Sequence, residues 1–229
     1  MRDLRGDITN VWRFASRLAP PVGEGRSIMF IAARSGEGTS SIAASFALIA
    51  ARQAEKATWL VDLDFHRNRA IAAFQNGFAD DVGRPGRVFD ASLRQEQIYA
   101  LGGPHEQRDA RLLTVRQIAR EKLLVTKFRV EQLQEAEQVR YRTSPSWWRA
   151  LRKASDWTIV DAPALERSPA GLAMASQQDG VILVVEADHT SPEQLAIAQR
   201  EIITHGGSVL GAVINKVGGE TRFIERLGL

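Results

Sequence analysis

Apolar positions fall along the chain in short dense runs, most of them closed by a polar residue. Ser27–Ala33 is one such run, followed by Thr58-Trp-Leu-Val-Asp-Leu-Asp64, Trp157-Thr-Ile-Val-Asp161, Gly180–Glu186 and Val209–Asn215. Runs of this length with no polar alternation are read as strands buried on both faces. After the first run comes a glycine-bearing loop, Arg34-Ser-Gly-Glu-Gly-Thr-Ser-Ser41. It opens onto a segment in which Ile42, Phe46 and Ile49 recur at helical spacing. Ser191-Pro192-Glu193-Gln194 predicts a helix start, with a capping serine, proline at the first helical position and glutamine three residues after the cap. Ser168-Pro169 repeats the device after Asp161. Upstream, a leading helix is predicted around Trp12 to Leu18, stopped by the Pro20-Pro21-Val22-Gly23 connector.

Buried strands alternating with helices predict an α/β fold: a mostly parallel sheet with helices on both faces, of P-loop NTPase type. Such sheets bind ligands beyond the carboxyl ends of their strands, so the polar residues closing the runs share one rim. The expected organisation is an N-terminal helix and connector over 1–25, then one domain over 26–229 with a divergent stretch at about 75–145. Residues 104–143 are rich in Arg, Glu and Gln, and fit a solvated helix-strand excursion better than a binding surface.

Composition narrows the class without naming a function. The 229 residues, 44% hydrophobic and 25% charged, suit a soluble globular protein. No apolar run is long enough to span a bilayer, and the N-terminus lacks an apolar signal core, so a cytoplasmic location is expected. With no cysteine, disulfides, thiolate metal sites and cysteine nucleophiles are excluded. The net charge of +3 gives no reason to expect nucleic-acid binding.

Strand, glycine loop and helix in succession make a phosphate cradle, because backbone N–H groups converge and glycine permits close approach. Against the pattern G-x-x-x-x-G-K-[ST], the window is Ala33-Arg-Ser-Gly-Glu-Gly38-Thr39-Ser40. Gly38 fits, and Ser40 stands where a hydroxyl would hold Mg²⁺. Ala33 replaces the opening glycine and Thr39 the lysine that would place a point charge on the β/γ-phosphates. As a bare pattern it also fits a tight glycine turn. Asp62, Asp64 and Asp161 end two strands at the same rim. Two readings fit them: a magnesium–nucleotide site in which Asp62 and Asp64 orient an attacking hydroxyl or water, or caps for the turns that follow.

The segments GEGTSSIAASFALIA, WLVDLDFHRNR, WTIVDAPAL and DGVILVVEADHTSPEQLAIAQREIITHGGSVLGAVINKV together resemble successive landmarks of the bacterial tyrosine kinases and CpsD/CapB-like exopolysaccharide proteins. That family lies within the group containing the MinD and ParA ATPases, and the resemblance covers about 26–75 and 145–217. It implies that Gly36-Glu37-Gly38, Thr39, Ser40 and Ser41 form the phosphate loop, with Asp62 and Asp64 as the second Walker element. Asp161 would be the Walker B carboxylate, Ser40, Asp62 and Asp161 the magnesium set, and Asn215 the residue near adenine. Arg34 stands where the MinD/ParA group has a signature lysine that reaches phosphate across a dimer; an exposed loop arginine is the plainer reading.

The departures matter equally. Besides Ala33 and Thr39, Ala164 replaces a proline usual after the Walker B aspartate. The closing segment 218–229 has no tyrosine cluster, and Tyr99 and Tyr141 are the only tyrosines. The N-terminal E-x-x-R-x-x-R oligomerisation pattern is absent: Arg13 and Arg17 are four apart with no matching glutamate. Autokinase activity is therefore not expected. The resemblance implies ATP and Mg²⁺ as ligands, weakened by the missing lysine. It also implies a membrane polysaccharide co-polymerase or similar assembly protein as partner, a homo-oligomer, and peripheral residence at the inner membrane face. The expected function is regulatory or scaffolding in exopolysaccharide synthesis with weak or no hydrolysis. An active MinD/ParA-like ATPase, or a tyrosine kinase acting on other chains, is the alternative. His66, His105, His189 and His205 lack metal-ligand spacing. Trp147-Trp148 reads as helical core more readily than as a partner patch. Phe223, Ile224 and Leu227 read as packed on the domain more readily than as a membrane tip.

Overall fold

A computed structural model describes residues 3–76, 78–103, 110–118, 120–217 and 220–225. In chain order the elements are α1 (Thr9–Ala15), β1 (Arg26–Ala32), α2 (Thr39–Gln53), β2 (Thr58–Asp62), α3 (Arg69–Asn76) and α4 (Ala79–Val82). There follow β3 (Pro85–Asp90), β4 (Tyr99–Gly102), β5 (Leu113–Ile118), β6 (Leu123–Phe128), β7 (Gln138–Tyr141), α5 (Pro145–Ala154) and β8 (Trp157–Asp161). The chain continues through α6 (Ala170–Ala175), β9 (Gly180–Glu186), α7 (Pro192–Thr204), β10 (Val209–Val217) and β11 (Glu220–Glu225). His105, Leu227 and Gly218 lie outside the described residues.

The five apolar runs of the sequence became neighbouring strands of one nine-stranded sheet, in the order β11-β10-β9-β1-β8-β2-β6-β5-β3. Strands β10, β9, β1, β8, β2 and β6 are parallel, while β11 and β5 run opposite to them and β3 pairs antiparallel with β5 at the edge. The α/β, mostly parallel architecture is thus the one the sequence predicts. Both faces of the sheet are covered. On one side Phe30, Leu60, Ile159, Ile182 and Val213 pack under α2, α1 and α3. On the other, Met29, Val61, Val160, Leu183 and Ala212 meet α5, α6 and α7. Alternate residues of each strand point to opposite faces, which is why runs without polar alternation were needed.

The segment preceding β1 is part of this packing. Leu4, Ile8, Val11 and Ala15 are buried, and the Trp12 ring lies 4.8 Å from that of Trp157 and 5.5 Å from that of Phe46. The middle region is more than a solvated excursion. Leu123–Phe128 pairs in parallel with β2 and, with β5 and β3, extends the main sheet, while β4 and β7 form a separate two-stranded ribbon. Its periodicity is obscured by the charged residues on the half-exposed outer strands, where β3 has five of six positions exposed. Phe223 and Ile224 lie in a strand: β11 pairs with β10, placing Phe223 beside Val213 and 5.3 Å from the Phe14 ring. Trp147 and Trp148 are fully buried in α5, and the Trp147 indole N–H donates to the Ala91 carbonyl at 2.8 Å. Among the described residues no helix is long and apolar enough to cross a membrane.

Candidate functional site: a glycine loop over paired carboxylates

The site follows from sheet register. Strands β2 and β8 are adjacent and parallel, with Asp62 opposite Asp161, so two last-position residues become neighbours. On the other flank of β8, β1 pairs Phe30 with Asp161 and then leaves the sheet as the glycine loop. Gly36 and Gly38 have φ of 94° and 96°, the left-handed region that glycine enters without a Cβ penalty. The Gly38 carbonyl accepts the N–H groups of Ser41 and Ile42 at 3.0 and 3.1 Å, which starts α2 at the loop's end. The first-turn N–H groups of α2 have no carbonyl within the helix to bond, and they give the loop its positive end.

A pocket of about 590 Å³ opens over this loop. Arg34, Gly36, Gly38, Thr39, Ser40 and Ser41 line it from the loop, Asp64 and Arg69 from beyond β2, Asp161 and Arg167 from beyond β8, and Asn215 and Lys216 from the end of β10. Its volume is that of a small-ligand site. Asp161 is buried; its carboxylate accepts from the Ser40 hydroxyl, and burial nevertheless pushes its pKa up to about 7. Asp62, equally buried, is held well above the ordinary carboxylate range by burial and by the charge of Asp161. Asp64 is ion-paired with Arg167 at 2.5 Å.

Two of the sequence-predicted residues lie behind the pocket. Both Asp62 oxygens accept backbone N–H groups, from Asp64 at 2.8 Å and from Ala70 in the first turn of α3 at 2.9 Å, as in the capping reading. Glu37 is 2% exposed; its carboxylate accepts from Arg34 N at 2.9 Å, Glu186 N at 3.0 Å and the Thr190 hydroxyl, tying the loop to the end of β9. Asn215 is a strut as well as a lining residue, since its amide donates to the Glu37 carbonyl at 2.9 Å and lies against Gly38. Arg34 is exposed, its guanidinium 3.4 Å from the His189 carbonyl. Ser35 N donates to Glu166 at 2.7 Å across the loop mouth.

Three cations at the pocket escaped the sequence reading: Arg69, Arg167 and Lys216. Lys216 directly follows Asn215, and Arg167 lies in the turn after Asp161. The available signal was basic residues just past strand ends on the shared rim. Among the described residues no group of three or more His, Asp or Glu is placed to hold a metal by itself. Ser40 and Asp161 offer the hard oxygen ligands that magnesium takes, leaving positions for water and phosphate. The tyrosines are enclosed: they face each other across β4 and β7, Tyr99 OH donating to Ala110 O at 2.5 Å and Tyr141 OH to Leu63 O at 2.7 Å. Burial pushes the Tyr141 phenol up to about 12.

No family model matches the chain. It is 27% identical over 192 residues to the tyrosine-protein kinase YwqD of Bacillus subtilis, spanning 83% of this chain and 72% of that one. Among solved structures, the VpsO kinase domain superposes with a TM-score of 0.59 at 16% identity, covering 93% of this chain and 94% of the other. The BceF tyrosine kinase domain gives 0.54 at 20% identity over 84% and 69%. MinD of Pyrococcus horikoshii, solved with Mg-ADP, gives 0.58 at 15% identity over 85% and 71%. The fold is therefore that of MinD-like P-loop NTPases, and in sequence and fold together the chain is similar to the bacterial tyrosine kinases of the CpsD/CapB type within that group.

Proposed function

We propose that the chain is a degenerate P-loop protein of exopolysaccharide biosynthesis, binding Mg-nucleotide weakly and hydrolysing it at or near background. The observation that carries this is the loop itself. The glycine cradle and the Ser40–Asp161 pair persist, yet a half-buried threonine stands in the lysine position. Ser40 and Asp161 would hold the metal, which when bound screens phosphate charge. The first-turn N–H groups of α2 orient the phosphates, and Arg69 and Arg167 add charge at the rim. Asp64, engaged by Arg167, is not free to act as a base. Phosphoryl transfer rests on charge stabilisation, so loss of the loop lysine lowers turnover far more than it lowers binding.

The role follows as regulatory or scaffolding work beside a membrane polysaccharide co-polymerase or similar assembly protein. The similarity to YwqD, named a tyrosine-protein kinase, and to the VpsO and BceF kinase domains supports that setting. Peripheral residence at the inner membrane face through that partner is part of the same proposal, as is an N-terminal unit over 1–25 preceding the domain at 26–229. The test is steady-state ATP hydrolysis with Mg²⁺, expected at background. Turnover of about 1 s⁻¹ or faster, as in typical kinases, abolished by Asp161→Ala, would establish the active-ATPase alternative instead. For the scaffold role, a chromosomal deletion complemented with Asp161→Ala should recover surface polysaccharide; failure of that variant alone would show that nucleotide chemistry is required.

A further inference from the structure

Lys216 reaches the glycine loop from the end of β10 and lines the pocket. It ends the regular part of β10 with φ of 64°, a left-handed conformation unfavourable for a side-chain-bearing residue. The conformation is locked: Lys216 N donates to the Asn215 side-chain oxygen at 2.9 Å, while the Asn215 amide donates to the Glu37 carbonyl at 2.9 Å. The strand end is thus tied to the glycine loop, and the ammonium is delivered onto that loop, 3.1 Å from the Gly36 carbonyl. A second contact, at 2.7 Å, goes to a Glu186 carboxylate oxygen at the end of β9. An ammonium has three N–H donors, so these two contacts leave one for a ligand in the pocket that Lys216 lines.

We propose that Lys216 acts as a substitute for the missing loop lysine, supplying positive charge to a polyphosphate from the β10 side of the pocket, and that Glu186 restrains it. The inference rests on the reading of the pocket as a Mg-nucleotide site. It goes beyond that reading by assigning the compensating cation and its counter-charge. Lysine suits the part, since a flexible stem carrying a point charge can swing from Gly36 and Glu186 to phosphate oxygens without a fixed fork geometry. The Glu186 main chain is anchored at the end of β9, its N–H held by Glu37 at 3.0 Å. An incoming polyphosphate therefore competes with the Glu186 carboxylate for the ammonium.

Calorimetric titration of the full chain with ATP, ADP and adenosine in Mg²⁺ tests this. Lys216→Gln should weaken ATP and ADP by about tenfold or more, the effect of one charged contact, and leave adenosine unchanged. Lys216→Arg, which keeps the charge, should bind ATP more tightly than Lys216→Gln. Adding Thr39→Lys to Lys216→Gln should restore ATP binding. Glu186→Gln, which frees the amine, should tighten ATP severalfold, and Lys153→Gln, at an exposed position of α5, controls for net charge. Equal ATP affinity in wild type and Lys216→Gln would overturn the role of Lys216 while leaving the nucleotide site standing, and so would an equal loss for adenosine. No binding of ATP or ADP by wild type up to about 10 mM would overturn both. If Lys216→Gln does not fold, Glu186→Gln decides: weaker or unchanged ATP binding contradicts the proposal.

Discussion

Removing the Glu37 carboxylate should loosen the glycine loop and cost the protein much of its stability. In Glu37→Ala the N–H groups of Arg34 and Glu186, held now at 2.9 and 3.0 Å, lose their acceptor in a place that water barely reaches. The Thr190 hydroxyl is half-exposed and can turn to solvent, so the cost is set by the two backbone donors. Hydrogen bonds to a charged group contribute about 1.5–3 kcal/mol each, which places the loss of the two at about 3–6 kcal/mol. For a chain of 229 residues each kcal/mol moves Tm by roughly 2–4 °C, so thermal unfolding should shift down by about 6–24 °C. Hydrogen exchange should accelerate at 34–41 and 186–191 before the rest of the sheet. Glu37→Gln should fall between, because its amide keeps one acceptor and turns an N–H pair toward a donor. A Tm within about 2 °C of wild type, with exchange unchanged in both segments, would refute the assignment of Glu37 as a strut.

Asp161→Asn tests the buried carboxylates. The folded pKa of Asp161, about 7, exceeds its ordinary 3.8, so the folded chain holds this proton more tightly and the group's contribution to stability declines as pH rises through 7. With metal chelated, wild type should gain on the order of 1 kcal/mol over Asp161→Asn on going from pH 8 to pH 6; parallel Tm–pH profiles for the two would rule that out. Gly38→Ala should place a Cβ against the Asn215 amide at a φ of 96°, destabilising by about 1–2 kcal/mol from the backbone alone. Unchanged Tm and unchanged nucleotide binding would show that the loop is not shaped this way. Incubation with ATP and Mg²⁺ should yield no phosphotyrosine, since both hydroxyls are hydrogen-bonded inside the fold. Stoichiometric phosphate on Tyr99 or Tyr141 by mass spectrometry would contradict that.

The central sheet was legible because its strands are buried on both faces, so Ser27–Ala33 or Gly180–Glu186 carry an unbroken apolar signal. The adjacency of Asp62 and Asp161 was implied by both ending strands of one parallel sheet, though only the register β2–β8 makes them direct neighbours. What the sequence could not assign was direction. Glu37 and Asn215 sit in a ligand-binding motif, yet their side chains turn inward to brace it, and no local spacing distinguishes an inward from an outward carboxylate. Asp62 suited both readings in the sequence, whereas in the fold it lies behind the pocket with both oxygens accepting backbone N–H groups, one of them at the start of α3. Arg69, Arg167 and Lys216 come from the start of α3, the turn after β8 and the end of β10, and their convergence is a property of tertiary structure alone. Strands β3 and β7 were missed for the opposite reason: on exposed outer strands Arg, Asp and Gln dilute the apolar positions.

Calorimetric titration with ATP and Mg²⁺ of the wild-type chain beside Thr39→Lys tests the account most directly. Thr39 lies in the first turn of α2 and lines the pocket, so a lysine there extends a charge to the place the motif assigns it. The wild type should bind with a Kd on the order of 0.1 mM or weaker, and Thr39→Lys should bind at least about tenfold more tightly, the effect of one charged contact. Low-micromolar binding by the wild type, or a restored variant that binds no better than it, would contradict the claim that a missing loop charge is what weakened this site.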